Sequence, residues 1–353
     1  MPNSADVLSW STLTPAVNNM KAPNSFIKNM LFSRDVPVPT RNIELSFLDR
    51  GRQIAPFVER NGAAIMTEGR DETFRVIVPP HIRVKRPMTP SELLNKRRPG
   101  SVIFPGADGI QMAMREYMAN ELAMLGDDIT NSEEYLCAMA LRGAITYSVT
   151  DQSSFTITFP RDAAHSYALG AGDRWNEATA SFRKDFLDAA TLVNDAVSLN
   201  VTDVILGTDA ADAFLADACG ELSSLLDIRR MATGTVDLTQ QIAESGALFL
   251  GTFVHGIRVW RYGRTVDVNG TSTDLIRPKY AEFVARTPAA QFVTYYGAIE
   301  DMKAIGAGKV LQSKRFSKSW EVEDPSCRML LIESNPMPVP RRPNATVSVQ
   351  VLA

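Results

Sequence analysis

The chain has 353 residues, 45% hydrophobic and 22% charged, with 37 basic against 40 acidic side chains and a net charge of −3. That length and apolar fraction suffice for a sizeable core in more than one domain, and the near balance of charge disfavours a dedicated nucleic-acid binder. Cys137, Cys219 and Cys327 are far apart, odd in number and without C-x-x-C or Cys/His ligand spacing, which reads as three reduced, mostly buried thiols and no metal site.

The start, "MPNSADVLSWSTLTP", has neither a basic n-region nor an apolar h-region, so no signal peptide is expected. No apolar run approaches the roughly 20 residues of a membrane helix, and the reading is of a soluble intracellular product. Residues 1–40 are polar and punctuated by proline. They predict an extended arm with at most one short helix near Asn24 to Leu31. Segments 54–66 and 73–85, joined across "TEGRDE", are both strand-like and predict a long hairpin. In "TFRVIVPPHIRVKRP", residues 73–87, Val76, Val78, Ile82 and Val84 hold even positions while Arg75, His81, Arg83 and Lys85 hold odd ones. Alternation of this kind predicts a ribbon with one apolar and one basic face. Pro79 and Pro80 make it an edge or an excursion rather than a central strand. A two-stranded hairpin is marginal alone in water, so it needs a surface to lie on.

A helical stripe follows: Ile110, Met114, Met118, Leu122 and Leu125, with Arg115, Asn120 and Glu121 on the opposite face. "NSEEYLCAMALRGAITY" predicts more helix, with Asn131 as N-cap and Glu134 three residues on. "GDDIT" between the two pieces either interrupts or bends one long helix. The pairs Asp127–Asp128 and Glu133–Glu134 read as solvated helix-end charges. After a strand in "SFTITFP" and a loop containing "GAGDRWNE", a helix is expected over 182–199 with Phe182, Phe186, Leu192 and Val193 inward. "VTDVILGTDAADAFLADACGELSSLLDIRR" reads as a buried strand, a turn and an amphipathic helix carrying Phe214, Leu215, Ala218, Leu222 and Leu225. Short strands continue through "GALFLGTFVHGIRVWRYG", "AQFVTYYGAIED" and "SWEVEDPSCRMLLIES". A proline-rich linker then precedes a final strand over 346–352. The fold class is α+β with mixed sheets.

Charge is unevenly spread. Residues 41–100 carry 12 basic and 7 acidic groups (+5), whereas residues 101–250 carry 8 and 22 (−14). Such a chain can attract copies of itself head to tail.

Catalytic and cofactor motifs fail one by one. "AIGAGKV" has Val310 where a phosphate loop needs Ser or Thr, and "LGAGDRW" lacks the third glycine of a dinucleotide site. "NGTSTD" is no nucleophile elbow, and His81, His165 and His255 stand without carboxylate or Cys at ligand spacing. No catalytic residue, cofactor or metal is therefore assigned, and no enzyme is expected.

What remains is an order of parts, and that order resembles the lambda-type branch of tailed-phage major capsid proteins, the phage capsid protein E family with the Hong Kong 97-type fold. The likeness runs through "VPVPTRNIEL", "VIVPPHIRVKRPMTPSEL", "GAGDRWNEATASFRKDFLDAATLV" with Trp175 and Asp188, "SLLDIRR", "YYGAIED" and "SKSWEVEDPSCRMLLIESNPMPVP…VSVQVLA". It implies an N-terminal arm over 1–45 and an E-loop hairpin over 54–86. A peripheral domain would be made of 46–53, 87–200 and 305–353, with a spine helix over about 107–147, and an axial domain would span 201–304. The implied function is a self-assembling major capsid protein whose pentamers and hexamers form the icosahedral head shell around double-stranded DNA. The DNA would be held on the inner face without sequence specificity.

Implied partners are other copies of the chain, a portal and a separate scaffolding protein, with no membrane; a decoration protein is left open. The implied location is the virion, after assembly in the host cytoplasm. Because the family-like sequence begins near residue 25, no large N-terminal cleavage is expected. Arg60, Arg70, Arg75, Arg83, Lys85 and Arg86 are the expected inter-subunit contacts, meeting acidic groups within 108–134 of a neighbour. The rival reading is a nucleic-acid-binding module using the basic ribbon 73–87, which the following −14 stretch disfavours.

Overall fold

The structure is a computed structural model that describes residues 10–19, 25–48, 72–91, 107–148, 154–221, 246–253, 256–268, 270–286, 291–302 and 313–353. In chain order it holds α1 (Trp10–Asn18), α2 (Phe26–Met30), β1 (Arg34–Pro37), β2 (Ile43–Leu48), β3 (Glu72–Ile77), β4 (Ile82–Met88), α3 (Ala107–Leu141), β5 (Ala144–Ser148), β6 (Ser154–Thr158) and β7 (Ser166–Ala168). There follow α4 (Phe182–Val197), β8 (Asp203–Leu206), α5 (Thr208–Ala216), β9 (Leu248–Phe253), β10 (Ile257–Arg261), β11 (Thr265–Val268) and β12 (Thr271–Asp274). The last six strands are β13 (Tyr280–Val284), β14 (Phe292–Tyr296), β15 (Phe316–Val322), β16 (Cys327–Ser334), β17 (Pro336–Pro340) and β18 (Thr346–Gln350). The chain divides into two compact units, one of residues 1–43, 78–136 and 294–338, the other of 44–77, 137–293 and 339–353.

The first unit is built on α3. The two helical pieces read in the sequence are one helix of 35 residues, so "GDDIT" continues it and Asn131 lies in its interior rather than at a cap. Thr130 Oγ1 returns its hydroxyl to Gly126 O at 2.9 Å, which lets a β-branched polar residue sit buried mid-helix. The inward stripe is Met118, Leu122, Leu125 and Ile129, packed with Leu330 and Ile332 of β16 and with Leu13 and Val17 of α1. β16 is the middle strand of an antiparallel sheet ordered β15–β16–β4.

The arm is more ordered than the sequence reading expects. The expectation of at most one short helix, near Asn24–Leu31, misses the helix at 10–18, which contains Pro15 and forms because it has a seat. Thr14 Oγ1 donates to Ser317 O and accepts from Ser317 N–H, both at 3.2 Å, while Asn18 donates to Arg315 O at 2.9 Å. α2 falls inside the expected Asn24–Leu31 window.

The proline-rich stretch before the last strand is not a linker. Pro336–Pro340 is β17, every residue buried, on the outside of a sheet ordered β1–β14–β17. Successive N–H groups of a strand point to opposite sides, so Pro336, Pro338 and Pro340 share the side that has no ladder to serve.

In the second unit a six-stranded mixed sheet runs β7–β18–β13–β8–β10–β9. β8 is buried at all four positions, three of them the apolar run Val204–Leu206, and pairs parallel to β10 and antiparallel to β13. Asp203 on β8 is fully buried yet satisfied: Arg258 and Trp260 donate to it at 2.8 and 3.0 Å, and Thr202 at 2.8 Å. α4 and α5 supply Phe182, Phe186 and Phe214 to an aromatic core with Trp175, Phe253 and Phe283. The expected helix over 182–199 ends two residues early, because Ser198 turns left-handed at φ 55°. The helical segment expected beyond Glu221 lies outside the described residues.

Candidate assembly interface

The ribbon 73–87 is two strands, not one. β3 pairs with β2, the buffer of Val78 to His81 follows, and β4 then joins β16 in the register Lys85↔Leu331 and Arg83↔Glu333. Pro79 and Pro80 mark the break, since neither can donate to a ladder. On β4 the expected alternation holds: Ile82 and Val84 face the core, Arg83 and Lys85 face outward. On β3 it is inverted, with Ile77 buried and Val76 65% exposed. The returning half of the ribbon is therefore covered on one face by its own subunit.

Of the six cations singled out in the sequence, Arg60 and Arg70 lie outside the described residues, as does segment 54–66. Arg75 is exposed and donates to Thr158 O at 2.8 Å. Lys85 is exposed at the edge strand. Arg83 and Arg86 are already engaged within the subunit. Arg83 Nε meets Glu333 Oε1 directly across the strand pair at 2.8 Å, and Arg86 meets Glu121 Oε2 at 2.7 Å. Their carboxylate partners are nearly inaccessible to solvent, so these cations compensate buried charge. The Glu121 hydrogen bond holds the Arg86 pKa above its ordinary value.

The acidic counter-surface also shrinks. Glu121 was expected on the polar face of α3 but is buried against Arg86. Glu133 and Glu134, read as solvated, are buried as well. Glu134 spans the first turn of α2, accepting from Ile27 N–H at 2.7 Å and Lys28 N–H at 2.9 Å. Glu133 Oε2 takes the Lys28 ammonium and, at 3.3 Å, the Arg315 guanidinium. A charge pair on a helix looks alike in sequence whether solvent or a second helix neutralises it. The signal that could have found them is Lys28, a lone cation within the mostly apolar stretch Phe26–Phe32. On α3 the acidic side chains that keep some solvent exposure among the described ones are Glu116, Asp127 and Asp128.

The second unit presents apolar side chains as well: Phe155 on β6 is 48% exposed and stacks on Tyr147 of β5 at 5.8 Å between ring centroids. Exposed aromatic and aliphatic groups beside an exposed arginine suit contact with another protein surface rather than chemistry on a small molecule. Among the described residues no group of three His, Cys, Asp or Glu side chains is placed to hold a metal ion, and no helix is long and apolar enough to cross a membrane.

The comparison with protein families shows which family the chain belongs to. A profile of phage major capsid protein E matches residues 9–351. The chain belongs to that family. The fold agrees: a structure described as a prophage capsid protein of E. coli CFT073 superposes with a TM-score of 0.73 at 16% identity, covering 98% of this chain and 99% of the other. A phage-related protein of Bordetella bronchiseptica RB50 gives 0.54 at 13% identity over 96% of each chain. The capsid subunit of an empty GTA particle gives 0.50 at 11% identity, over 95% of this chain and 92% of the other. No curated protein matches the sequence. This is a structural protein of phage heads with the Hong Kong 97-type fold, a major capsid protein that forms a shell.

Proposed function

We propose that this capsid protein assembles as pentamers and hexamers that tile an icosahedral head shell around double-stranded DNA, without catalysis. Segment 54–86 is the E-loop and lies over a neighbouring copy, with residues 82–88 as its root in the subunit's own sheet. Residues 1–45 are the arm, 46–53, 87–200 and 305–353 the peripheral domain, and 201–304 the axial domain. The observation that carries this reading is the family match over 9–351. Arg75 and Lys85, exposed at two places along the ribbon, support a contact role. Head-to-tail contact between unlike patches closes into rings, and repetition around the lattice supplies avidity to a weak single contact.

A separate scaffolding protein, a portal and assembly in the host cytoplasm complete the proposal. The nucleic-acid reading loses two of its four cations, since Arg83 and Arg86 neutralise buried carboxylates. The test is sedimentation and negative-stain microscopy of the full chain expressed alone and with the phage's other head proteins. Rings, tubes or shells are expected. A monomer that retards DNA on a gel overturns the proposal.

A further inference from the structure

We propose that Gly297 and Asn335 are positioning residues that clamp both legs of the hairpin at its root and so set the direction in which it reaches a neighbouring copy. The inference rests on the reading of that hairpin as an inter-subunit element. The chain leaves the first unit after Ile43 and re-enters it at Val78. Both crossings are tied, within that unit, to one short stretch.

On the outgoing leg, Val38 N–H donates to Tyr296 O at 2.7 Å, and Thr40 O accepts from Ala298 N–H at 3.1 Å. On the returning leg the buried ring of Pro79 lies directly over Gly297. A Cβ at position 297 would come 2.9 Å from Pro79 Cγ, 3.5 Å from Asn335 Cβ and 3.6 Å from Arg41 O. Gly297 has no left-handed φ, so its glycine is a matter of space, not backbone freedom.

Asn335 ties the same point three ways. Its Oδ1 lies 2.6 Å from His81 Nδ1, its amide donates to Ala298 O at 2.9 Å, and its carbonyl accepts from Gly297 N–H at 3.0 Å. One glycine and one asparagine thus touch residues 41, 79 and 81, on either side of the excursion. A proline ring is tied to the backbone at both ends and can shift its Cγ only by re-puckering, so in this packed setting the contact passes displacement to the backbone. This gives a role to "YYGAIED" and "ESNPMPVP", two stretches whose residue types offer no chemistry.

Gly297→Ala is the first variant, made in the full chain and scored by circular dichroism, melting temperature and the yield of shells on a gradient. The subunit is expected to fold and melt near the parent, while shell yield falls about tenfold or more because every lattice contact repeats the error. Adding Pro79→Ala removes the atom in the way and is expected to restore shells. Parental assembly of Gly297→Ala, or failure of the double variant to restore it, overturns the inference. If Gly297→Ala does not fold, Asn335→Ala decides: lost shells with a parental melting temperature support the clamp, and parental shells overturn it. Arg60→Glu with Arg70→Glu separates the two levels. If that variant and the clamp variants all assemble normally, the hairpin reading itself falls. If only the clamp variants do, the clamp alone falls.

Discussion

The indole N–H of Trp175 donates to Asp185 Oδ2 at 2.8 Å, inside a cluster of aromatic rings that leaves neither residue appreciable access to water. Burial raises the Asp185 pKa to about 6, against the lowering effect of the Trp175 hydrogen bond and of Lys184. The native state therefore holds this proton more tightly than the unfolded chain does. Its contribution is most favourable below the unfolded value near 4 and declines as pH rises through 6. Asp185→Asn removes the charge while its side-chain oxygen still accepts from Trp175. Its stability relative to the parent is expected to rise between pH 4 and pH 7.5, by roughly 2 kcal/mol. Urea unfolding at the two pH values measures this, and a difference that stays flat or falls with pH refutes it.

Glu134 is the acceptor for the first turn of α2. Glu134→Ala takes away the acceptor of two N–H groups, one of them buried, at a cost of about 2–3 kcal/mol. The arm should then detach before the rest of the subunit unfolds. Limited proteolysis is expected to cut near residues 25–32 in the variant and not in the parent. Glu134→Gln, which keeps one acceptor oxygen, should lie between.

The cations of the ribbon should separate into two classes. Arg86→Ala leaves the Glu121 carboxylate less compensated in the interior. Because Arg86 is itself about half exposed, the loss is near 1–2 kcal/mol, read as a lower melting temperature of the isolated subunit. Arg75→Glu with Lys85→Glu should leave that temperature unchanged and reduce shell formation, most visibly at low salt. Parental shell yield from this pair would remove both residues from the interface.

Gly207 has no room for a side chain. A Cβ there would sit 2.1 Å from Arg277 O and 2.6 Å from Pro278 O, both backbone atoms already held in place, Pro278 O by Ala210 N–H and Arg277 O by Tyr280 N–H. Gly207→Ala should cost roughly 3 kcal/mol or more and give insoluble protein on expression at 37 °C. Soluble protein with a parental urea midpoint would show that the β8–α5 turn can relax.

Between Lys28 and Lys85 the sequence contains no lysine. An isopeptide bond from residues 29–84 thus has no amine; Lys85 lies at the hairpin's root, in β4 beside β16, with poor reach to a neighbour, and arginine makes forked hydrogen bonds in its place. Particles boiled in denaturant should run as a single band near the 38.8 kDa subunit. Ladders that survive reducing agent would contradict this.

Elements defined by their own periodicity could be read in the sequence: the α3 stripe, the α4 core positions and the buried run of β8 all carry their partners' requirements in their spacing. What could not be read is structure made by a distant segment. Pro15 argues against α1 until Ser317 offers its hydrogen bonds. Three prolines argue against β17 until it is known to be an outer strand. Glu121, Glu133 and Glu134 look solvated until Arg86, Lys28 and the N–H groups of α2 arrive. Among the residues marked for assembly, the sequence could not separate Arg83 and Arg86, which serve the subunit, from Arg75 and Lys85. The bond from Trp175 to Asp185 has no signature in the sequence either, since Asp185 is one of several acids along α4.

The pair of hydrogen bonds between Thr14 and Ser317 joins positions 303 residues apart. On the ribosome, α1 emerges early and its seat on β15 is made late, at least about 15 s later at 20 residues per second. Until then Leu13 and Val17 have only the α3 stripe of their core, without Leu330 and Ile332, and the first unit lacks two of the three strands of its main sheet. A nascent chain is thereby barred from presenting a finished surface to the completed subunits around it.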